Sequence, residues 1–385
     1  MSKMKNIFWI YSLSALTYFI QGWEGLPGLA IFRYFKEILM YSPEKIMFIG
    51  SLVSLSWIPK ILWGYLSDQF LTKKFWIFIS IIFDIITALI VGIWILPILI
   101  LITMEFVNST DSAIRDVNID GIMCIEGKKF NITGKIQSIQ WISITIASII
   151  TGILGGYIAD HYSYRVGFLL LIPFYLLLFI PLFFYKEEKV NKKRIKFIET
   201  IKPYKRIFTN KSFLVVCLFI FLYNYSPSFG TPLSYIQRDK FNWSFQFMGI
   251  LGSITSVISI FGALVYYKIC QKINIKKWLY YSVFLGAITT LSYLYYTPIS
   301  AILYSIIYSF IGMAIHLMVM DFMSKSTING LESTTFALLC GIHNLAATMS
   351  SLTGAWLYPI LGLNILIIIS ALTSFICLPL IKYIK

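Results

Sequence analysis

Charge is what this sequence holds least of. Of its 385 residues only 13% are Asp, Glu, Lys or Arg, while 58% are hydrophobic, a balance outside the range of soluble domains. Acid is scarcer still, with 17 Asp and Glu against 32 Lys and Arg, for a net charge of +15. Histidine occurs three times, at His161, His316 and His343. These are scattered, and neither a His-Glu-x-x-His set nor a nucleotide-binding Gly-rich loop is present, which argues against a membrane-embedded enzyme. His161 reads as a loop residue, and lone intrahelical histidines such as His316 and His343 are more often satisfied by a neighbouring hydrogen bond than functional. The five cysteines, Cys124, Cys217, Cys270, Cys340 and Cys377, lie in or at the ends of hydrophobic segments without metal-type spacing. Neither a disulfide framework nor a zinc site follows, and no cofactor is expected.

What the chain has in abundance is long apolar runs. About twelve segments of roughly 20 residues, each long enough to cross about 30 Å of hydrocarbon, recur at 6–30, 45–66, 75–96, 98–122, 136–160, 163–184, 212–236, 245–268, 277–296, 298–322, 333–357 and 360–382. The fold class is therefore an all-α polytopic membrane protein. The start, Met1 to Asn6, is short and basic, but the apolar run after it is too long for a signal-peptide core and reads as a retained first helix. The 25 Tyr, 31 Phe and 10 Trp suit lipid contact and interfacial belts.

The positive charge invites a nucleic-acid reading, but its distribution obeys the positive-inside rule instead. Twenty-four Lys and Arg fall in alternate loops, ten of them in 185–211, while Arg33, Lys36, Lys45, Arg165, Arg238 and Lys240 occupy the opposite side and Lys60 and Arg115 lie inside helices. Both termini are expected in the cytoplasm, with the chain a monomer in a plasma or inner membrane, surrounded by lipid and binding no nucleic acid.

The basic interval 185–211 separates residues 1–184 from 212–385, and the two halves share an offset of 202 residues: Phe48-Ile-Gly-Ser-Leu-Val-Ser54 matches Ile250-Leu-Gly-Ser-Ile-Thr-Ser256, and Ser148, Thr151 and Gly152 match Ser350, Thr353 and Gly354. Any one match is weak, because Gly and Ser are common in membrane helices; a shared offset across distant helices is not. Six helices, a cytoplasmic linker and six more in parallel repeat define the major facilitator layout, with a substrate site near the midplane. The repeat breaks where Lys60 aligns with Gly262 and Asp68 aligns with Cys270.

Where charge does enter the apolar segments it demands a reason. The stretch from Glu105 to Glu126 carries Glu105, Asp111, Arg115, Asp116 and Asp120. Glu105, Asp116 and Asp120 fall within about 60° on a helix, and Asp111 and Arg115 form an i,i+4 pair roughly 100° further round. Each would cost about 2.5–3.5 kcal/mol at the centre of a lipid-facing helix, so all five are expected to face protein or a water-filled path. Lys60 either snorkels or pairs with a carboxylate or anionic substrate, and Asp116 lies at a comparable depth and is the expected partner. Asp84 and Glu24 are further intramembrane carboxylates. Burial penalises their charged form, so with Asp116 and Asp120 they are candidate proton carriers, although Glu24 equally fits the outer interface and Asp120, like Asp321, fits a structural role near the cytoplasm. Gln21, Gln140, Asn224 and Asn344 are candidates for hydrogen bonds to a polar solute or between helices. Gly64-x-x-x-Asp68 followed by Lys73 and Lys74 ends the second helix. There Gly64 permits close helix contact, and Asp68 can hold and release cationic or helix-terminal partners as the protein changes conformation, so Gly64, Asp68 and Lys73 form a candidate gate.

Taken together, Tyr18-Phe-Ile-Gln-Gly22, Ser42-Pro43, Pro59-Lys60 with Gly64 and Ser67-Asp68, and Asp116-x-x-x-Asp120-Gly121 with Glu126 resemble the folate-biopterin transporter family, a branch of the major facilitator superfamily. Gln137-Ser138 with Trp141, Gly155-Gly156, Phe219 to Gly230, and Phe336-Ala-Leu-Leu with Asn344 extend the resemblance over most of the chain. It implies proton-coupled or exchange transport of folates, pterins or related organic anions, with Lys60, Asp116 and Asp120 in the transport region. Glu24 and Arg115 depart from the pattern, standing where small or apolar residues are expected. Arg115 is read, with Lys60, as a cation that attracts a substrate carboxylate. A carrier of another organic solute on the same fold is the alternative; a non-transporting scaffold would have little use for charges at membrane depth.

Overall fold

A computed structural model describes residues 3–130, 132–187, 207, 209–270, 272–328 and 332–384; the side chains at 3–5, 68, 128, 133–134 and 332–334 are outside that description. Most of the 185–211 segment and the side chain of Asp68 thus lie outside the described residues.

The described residues form helices and no strand. The first span is α1, Lys3–Trp23, followed after a turn by α2, Gly28–Arg33, and a π-helical turn at Tyr34–Ile38. The second is broken. Helix α3, Pro43–Ser54, passes through a 3-10 turn, Leu55–Trp57, before α4, Lys60–Gln69. The break falls at Pro59, which has no N–H to donate and disfavours helix in the residue before it. Lys60 therefore opens α4.

Helix α5, Lys73–Ile93, starts on a Thr72 side chain that accepts from Phe75 N. Its two faces are distinct. Phe75, Phe78, Ile82, Ile86, Leu89 and Ile93 are exposed, whereas Ile77, Ile81, Asp84, Ala88 and Val91 are buried, the stripe expected of a helix with one side toward lipid. Helix α6, Ile98–Phe130, has 33 residues, about 50 Å at 1.5 Å per residue, and carries the charged stretch. The first half closes with α7, Thr133–His161, α8, Tyr164–Leu169, and α9, Ile172–Phe184.

The second half runs through α10, Lys211–Asn224, α11, Gly230–Asp239, α12, Phe245–Ile269, α13, Ile275–Ser292, and α14, Pro298–Lys325. Side-chain caps from Asn210, Asn274 and Thr297 set the starts of α10, α13 and α14, satisfying backbone donors that hydrocarbon cannot. Helix α15, Glu332–Thr373, covers the eleventh and twelfth expected spans as one 42-residue element, interrupted at Gly362, whose φ of 70° lies in the left-handed region that glycine alone adopts freely. A short α16, Leu378–Ile381, ends it. Among the described residues, seven helical stretches are long and apolar enough to cross a membrane by themselves. The other expected spans fall on α1, α6, α10 and α13, and the arrangement is consistent with twelve.

Contacts divide the chain into two compact units. The first comprises Met1–Met40, Pro59–Arg194 and Ser244–Ser253. In it the start of α12 lies against α7 with no side chains between them. A Cβ on Gly249 would meet Gly152 O and Gly156 Cα, and Ser253 Oγ donates to Ile149 O at 2.7 Å, a small-residue crossing of the membrane type. Asp160, at the end of α7, caps α12 by accepting from Phe245 N at 3.1 Å and Gln246 N at 2.7 Å.

The second unit comprises Tyr41–Ile58, Ile195–Trp243 and Ile254–Lys385. Its core gathers Phe213, Phe219 and Ile220 of α10, Leu279 of α13, Phe322 and Met323 of α14 and Leu339 of α15. Asn344 donates to Trp57 O at 3.2 Å and Ser351 Oγ to Met47 O at 3.3 Å, tying α3 to α15.

Candidate transport site

The five charges of α6 face inward as their spacing predicts. Asp111, Arg115 and Asp116 are all under 9% exposed, and Glu105 Oε1 and Asp111 Oδ2 are buried with no hydrogen-bond partner among the described residues. The polar atoms of α1 share that condition: Ser14 Oγ, Thr17 Oγ1 and Gln21 Oε1 form a stripe at i, i+3 and i+7, buried and without a partner.

Lys60 Nζ lies 2.7 Å from Asp116 Oδ2, with the two side chains 18% and 7% exposed. Placing Lys60 in the first turn of α4 aims its stem at α6 rather than along the helix toward the interface, so the side chain pairs and does not snorkel. One turn further along α6, Asp120 accepts from Tyr18 Oη at 2.9 Å and from Gln140 Nε2 at 3.4 Å. Helices α1, α4, α6 and α7 thus converge on two carboxylates one turn apart.

Arg115 differs from expectation. Its i,i+4 neighbour Asp111 is not its partner. The guanidinium, 1% exposed, is bridged by Glu24 of the turn after α1 and by Asp84 of α5. Local helix geometry offered Asp111, but two carboxylates from packed neighbours reach both ends of the planar fork, which a single i,i+4 side chain cannot. Further donors complete the network. Ser112 Oγ donates to Glu24 Oε2 at 2.7 Å, Tyr175 Oη to Glu24 Oε1 at 3.2 Å, and Asn108 Nδ2 to Asp84 Oδ1 at 3.2 Å. The guanidinium carbon also sits 5.7 Å from the centre of the Tyr175 ring, within cation–π range. Glu24 is therefore inside the protein and not at the outer interface.

Of the other candidates, Gln140 is spent on Asp120. Asn224 Nδ2 donates to Ile220 O at 2.7 Å, and Asn344 holds the broken second span, as described. A Cβ on Gly64 would touch Val117 Cγ1 at 3.5 Å, an ordinary contact, so this conformation has no steric need for glycine there. Lys73 is buried against Gly121, whose missing Cβ would come within 2.7 Å of Lys73 Cε and Nζ. Glu187 accepts from the backbone N–H groups of Lys73 and Lys74, at 3.0 and 2.8 Å, while Lys74 Nζ donates to Phe183 O and Tyr185 O. The ends of α5 and α9 thereby cap each other. In the second unit Asp321 accepts from Tyr266 Oη at 3.0 Å and from Lys325 Nζ at 2.7 Å, and His161 stacks on Tyr157 with a ring separation of 4.3 Å.

Sequence reasoning had assigned no role to Tyr18, Asn108, Ser112, Tyr175 or Glu187. Asn108 and Ser112 lie on the Arg115 face of α6 at helical spacing and were open to discovery. Tyr175 was not, being one tyrosine among 25 with no local mark.

Solved structures show the fold these helices adopt. The chain superposes on a variant of the nucleoside transporter NupG with a TM-score of 0.77, at 15% identity, over 98% of this chain and 99% of that one. It superposes on a D-xylose-proton symporter with a TM-score of 0.76, at 13% identity, over 98% of each. The protein is a multi-pass membrane transporter of the major facilitator fold, not an enzyme. It belongs to the BT1 family, whose model matches residues 21–385. A folate-biopterin transporter of Synechocystis is 25% identical over 94% of this chain and 79% of its own length, and folate transporter 1 of Plasmodium falciparum is 23% identical over 88% and 70%.

Proposed function

We propose that this transporter moves a folate, a pterin or a similar organic anion by alternating access between the halves 1–184 and 212–385, joined by the cytoplasmic linker 185–211, and that protons drive it. The observation that carries the reading is the buried Lys60–Asp116 pair at 2.7 Å. A lysine at this depth that is paired with a carboxylate can exchange that partner for the carboxylate of a solute, and the displaced Asp116 can then take a proton. Gln21, with its unpartnered Oε1, and Asn224 and Asn344 supply polar groups for the rest of the solute. Arg115 is the second cation that attracts the solute's carboxylate, its charge made available when Glu24 or Asp84 takes a proton, and Asp120 accompanies Asp116. Gly64, Asp68 and Lys73 form the cytoplasmic gate.

One guanidinium, which stays charged, faces two carboxylates, leaving one negative charge in excess. A net charge buried in this way is costly, and a bound proton removes it. Glu24, Asp84 and Arg115 are therefore the second seat for the coupling proton. The protein works as a monomer in a plasma or inner membrane with both termini cytoplasmic.

The test is uptake of labelled folic acid, 5-methyltetrahydrofolate and biopterin into liposomes, with thermal shifts of the purified protein in each. Uptake of at least one, abolished by Lys60→Ala, is expected. Uptake of a nucleoside or sugar instead would favour a carrier of another organic solute, the reading to which the two structural neighbours lend weight.

A further inference from the structure

The second unit holds a cavity of which the assignments above use only Asn224. It encloses about 170 Å³ and is lined by Tyr223 and Asn224 of α10, Gly312, His316 and Met320 of α14, and His343 of α15, among other side chains. Asn224 ends the 14 residues of α10, about 20 Å from its start at 1.5 Å per residue. Gly312 and His343 lie about 22 and 18 Å into α14 and α15 on the same measure. The cavity is thus near mid-depth, where carriers of this architecture bind their solutes.

The lining chemistry selects among ligands. Among the described residues no Lys, Arg, Asp or Glu contributes to it, so an anion or a cation entering would lose hydration without gaining a counter-charge. A chelated metal is equally unsuited. Among the described residues no group of three or more His, Cys, Asp and Glu side chains could hold one. What the walls offer is aromatic surface and neutral hydrogen-bonding groups. The imidazoles of His316 and His343 stand 6.2 Å apart, inclined at 66°. Tyr223 Oη is committed to Ser282 Oγ at 2.8 Å, so its ring is the part left to contact a ligand. Asn224 Nδ2 is committed to Ile220 O, so its side-chain carbonyl is the part left to accept. Met320 adds a polarisable sulfur suited to aromatic contact. A cavity of about 150 Å³ accommodates a benzene, so this one takes a ring system and not a whole conjugate.

We propose that the cavity between His316 and His343 is the subsite for a neutral, planar, nitrogen-containing ring, with the two imidazoles and Asn224 reading the ring's edge. The inference rests on the transporter reading and deepens it, because it assigns the uncharged end of the solute to side chains of the second unit.

Two kinds of variant test it. Gly312→Val introduces a side chain where a Cβ meets nothing within 4 Å, which narrows the cavity and keeps both histidines in the sequence. His316→Leu with His343→Leu keeps the bulk and removes the ring-edge groups. Binding of pterin, adenine and p-aminobenzoylglutamate to the full-length purified protein is measured by calorimetry. Wild type is expected to bind pterin, with both variants at least tenfold weaker for it and unchanged for p-aminobenzoylglutamate. If adenine binds in place of pterin with the same dependence on the variants, the subsite stands and the folate or pterin reading falls. If pterin binds equally to all three proteins, that reading stands and the subsite is overturned. The subsite is also overturned if both variants weaken p-aminobenzoylglutamate as much as pterin, or if neither ring binds wild type.

Discussion

Arg115 sets the largest single demand on folding. Its guanidinium is fully enclosed and shared by Glu24 and Asp84, so Arg115→Leu leaves two buried carboxylates facing each other with no cation. Breaking a buried pair costs about 3–5 kcal/mol, and this change breaks two at once. Arg115→Leu is expected to give little folded protein in detergent, and Arg115→Lys to restore it only in part, since an ammonium cannot span both acids. Recovery of monodisperse protein by size-exclusion chromatography reads the outcome; normal yield from Arg115→Leu would mean that the acids are neutralised some other way. Lys60 and Asp116 allow a finer test. Lys60→Ala and Asp116→Asn should each lower thermal stability, because each strands the charge of the other partner. The double variant should recover stability and not uptake, because it removes the stranded carboxylate together with the cation offered to the solute. Melting temperature and uptake measured across the cycle decide it, and strictly additive stability losses would show that the pair contributes nothing.

Elements carry their own demands, clearest where α7 meets the start of α12. There Gly249 lies against Gly152 and Gly156 with no room for a Cβ, and Asp160 caps the helix it packs on. Gly249→Val must push the two backbones apart, and it is expected to destabilise more than Asp160→Ala, whose lost cap costs about 0.5–2 kcal/mol. Thermal unfolding of both variants checks the order; a Gly249→Val protein as stable as wild type would mean that the helices separate at no cost. The sequence marked this crossing only as a repeat of small residues, since composition shows that backbones can approach but not which helix approaches. The same limit runs through the charged network. Lys60 and Asp116 were legible as a pair because each is costly alone and both lie at one depth. The partners of Arg115 were not, because Glu24 and Asp84 reach it from other helices, while the only neighbour that helical spacing offers is Asp111. The broken second span was likewise hidden in a continuous apolar run, although Pro59 names the place where it breaks.

Considered as a whole, the molecule has an orientation and an energy source, and both can be measured. If 185–211 is cytoplasmic, as proposed from the alternating basic loops, a cysteine introduced at Asn191 should resist an impermeant maleimide added outside intact cells and react once they are opened. Reaction from outside would invert the topology. The proposed energy source rests on the imbalance of charge in the interior. Glu24 and Asp84 share one arginine, and Asp120, which accepts hydrogen bonds from Tyr18 and Gln140, lies one turn from the Asp116 that pairs with Lys60, so among the described residues the first unit buries more carboxylates than cations to meet them. If protons supply the missing positive charge at one stage of the cycle and leave at another, an imposed pH difference will drive solute uphill with the membrane potential clamped at zero. Liposomes loaded at pH 7.5 and diluted into pH 5.5 are expected to accumulate labelled substrate transiently, and a protonophore should abolish the overshoot. Glu24→Gln and Asp84→Asn each remove the excess charge permanently, so they should reduce gradient-driven accumulation more than counterflow exchange, which needs no net proton movement. Accumulation in wild type that ignores the pH difference would remove protons from the mechanism and leave solute exchange as the driving reaction.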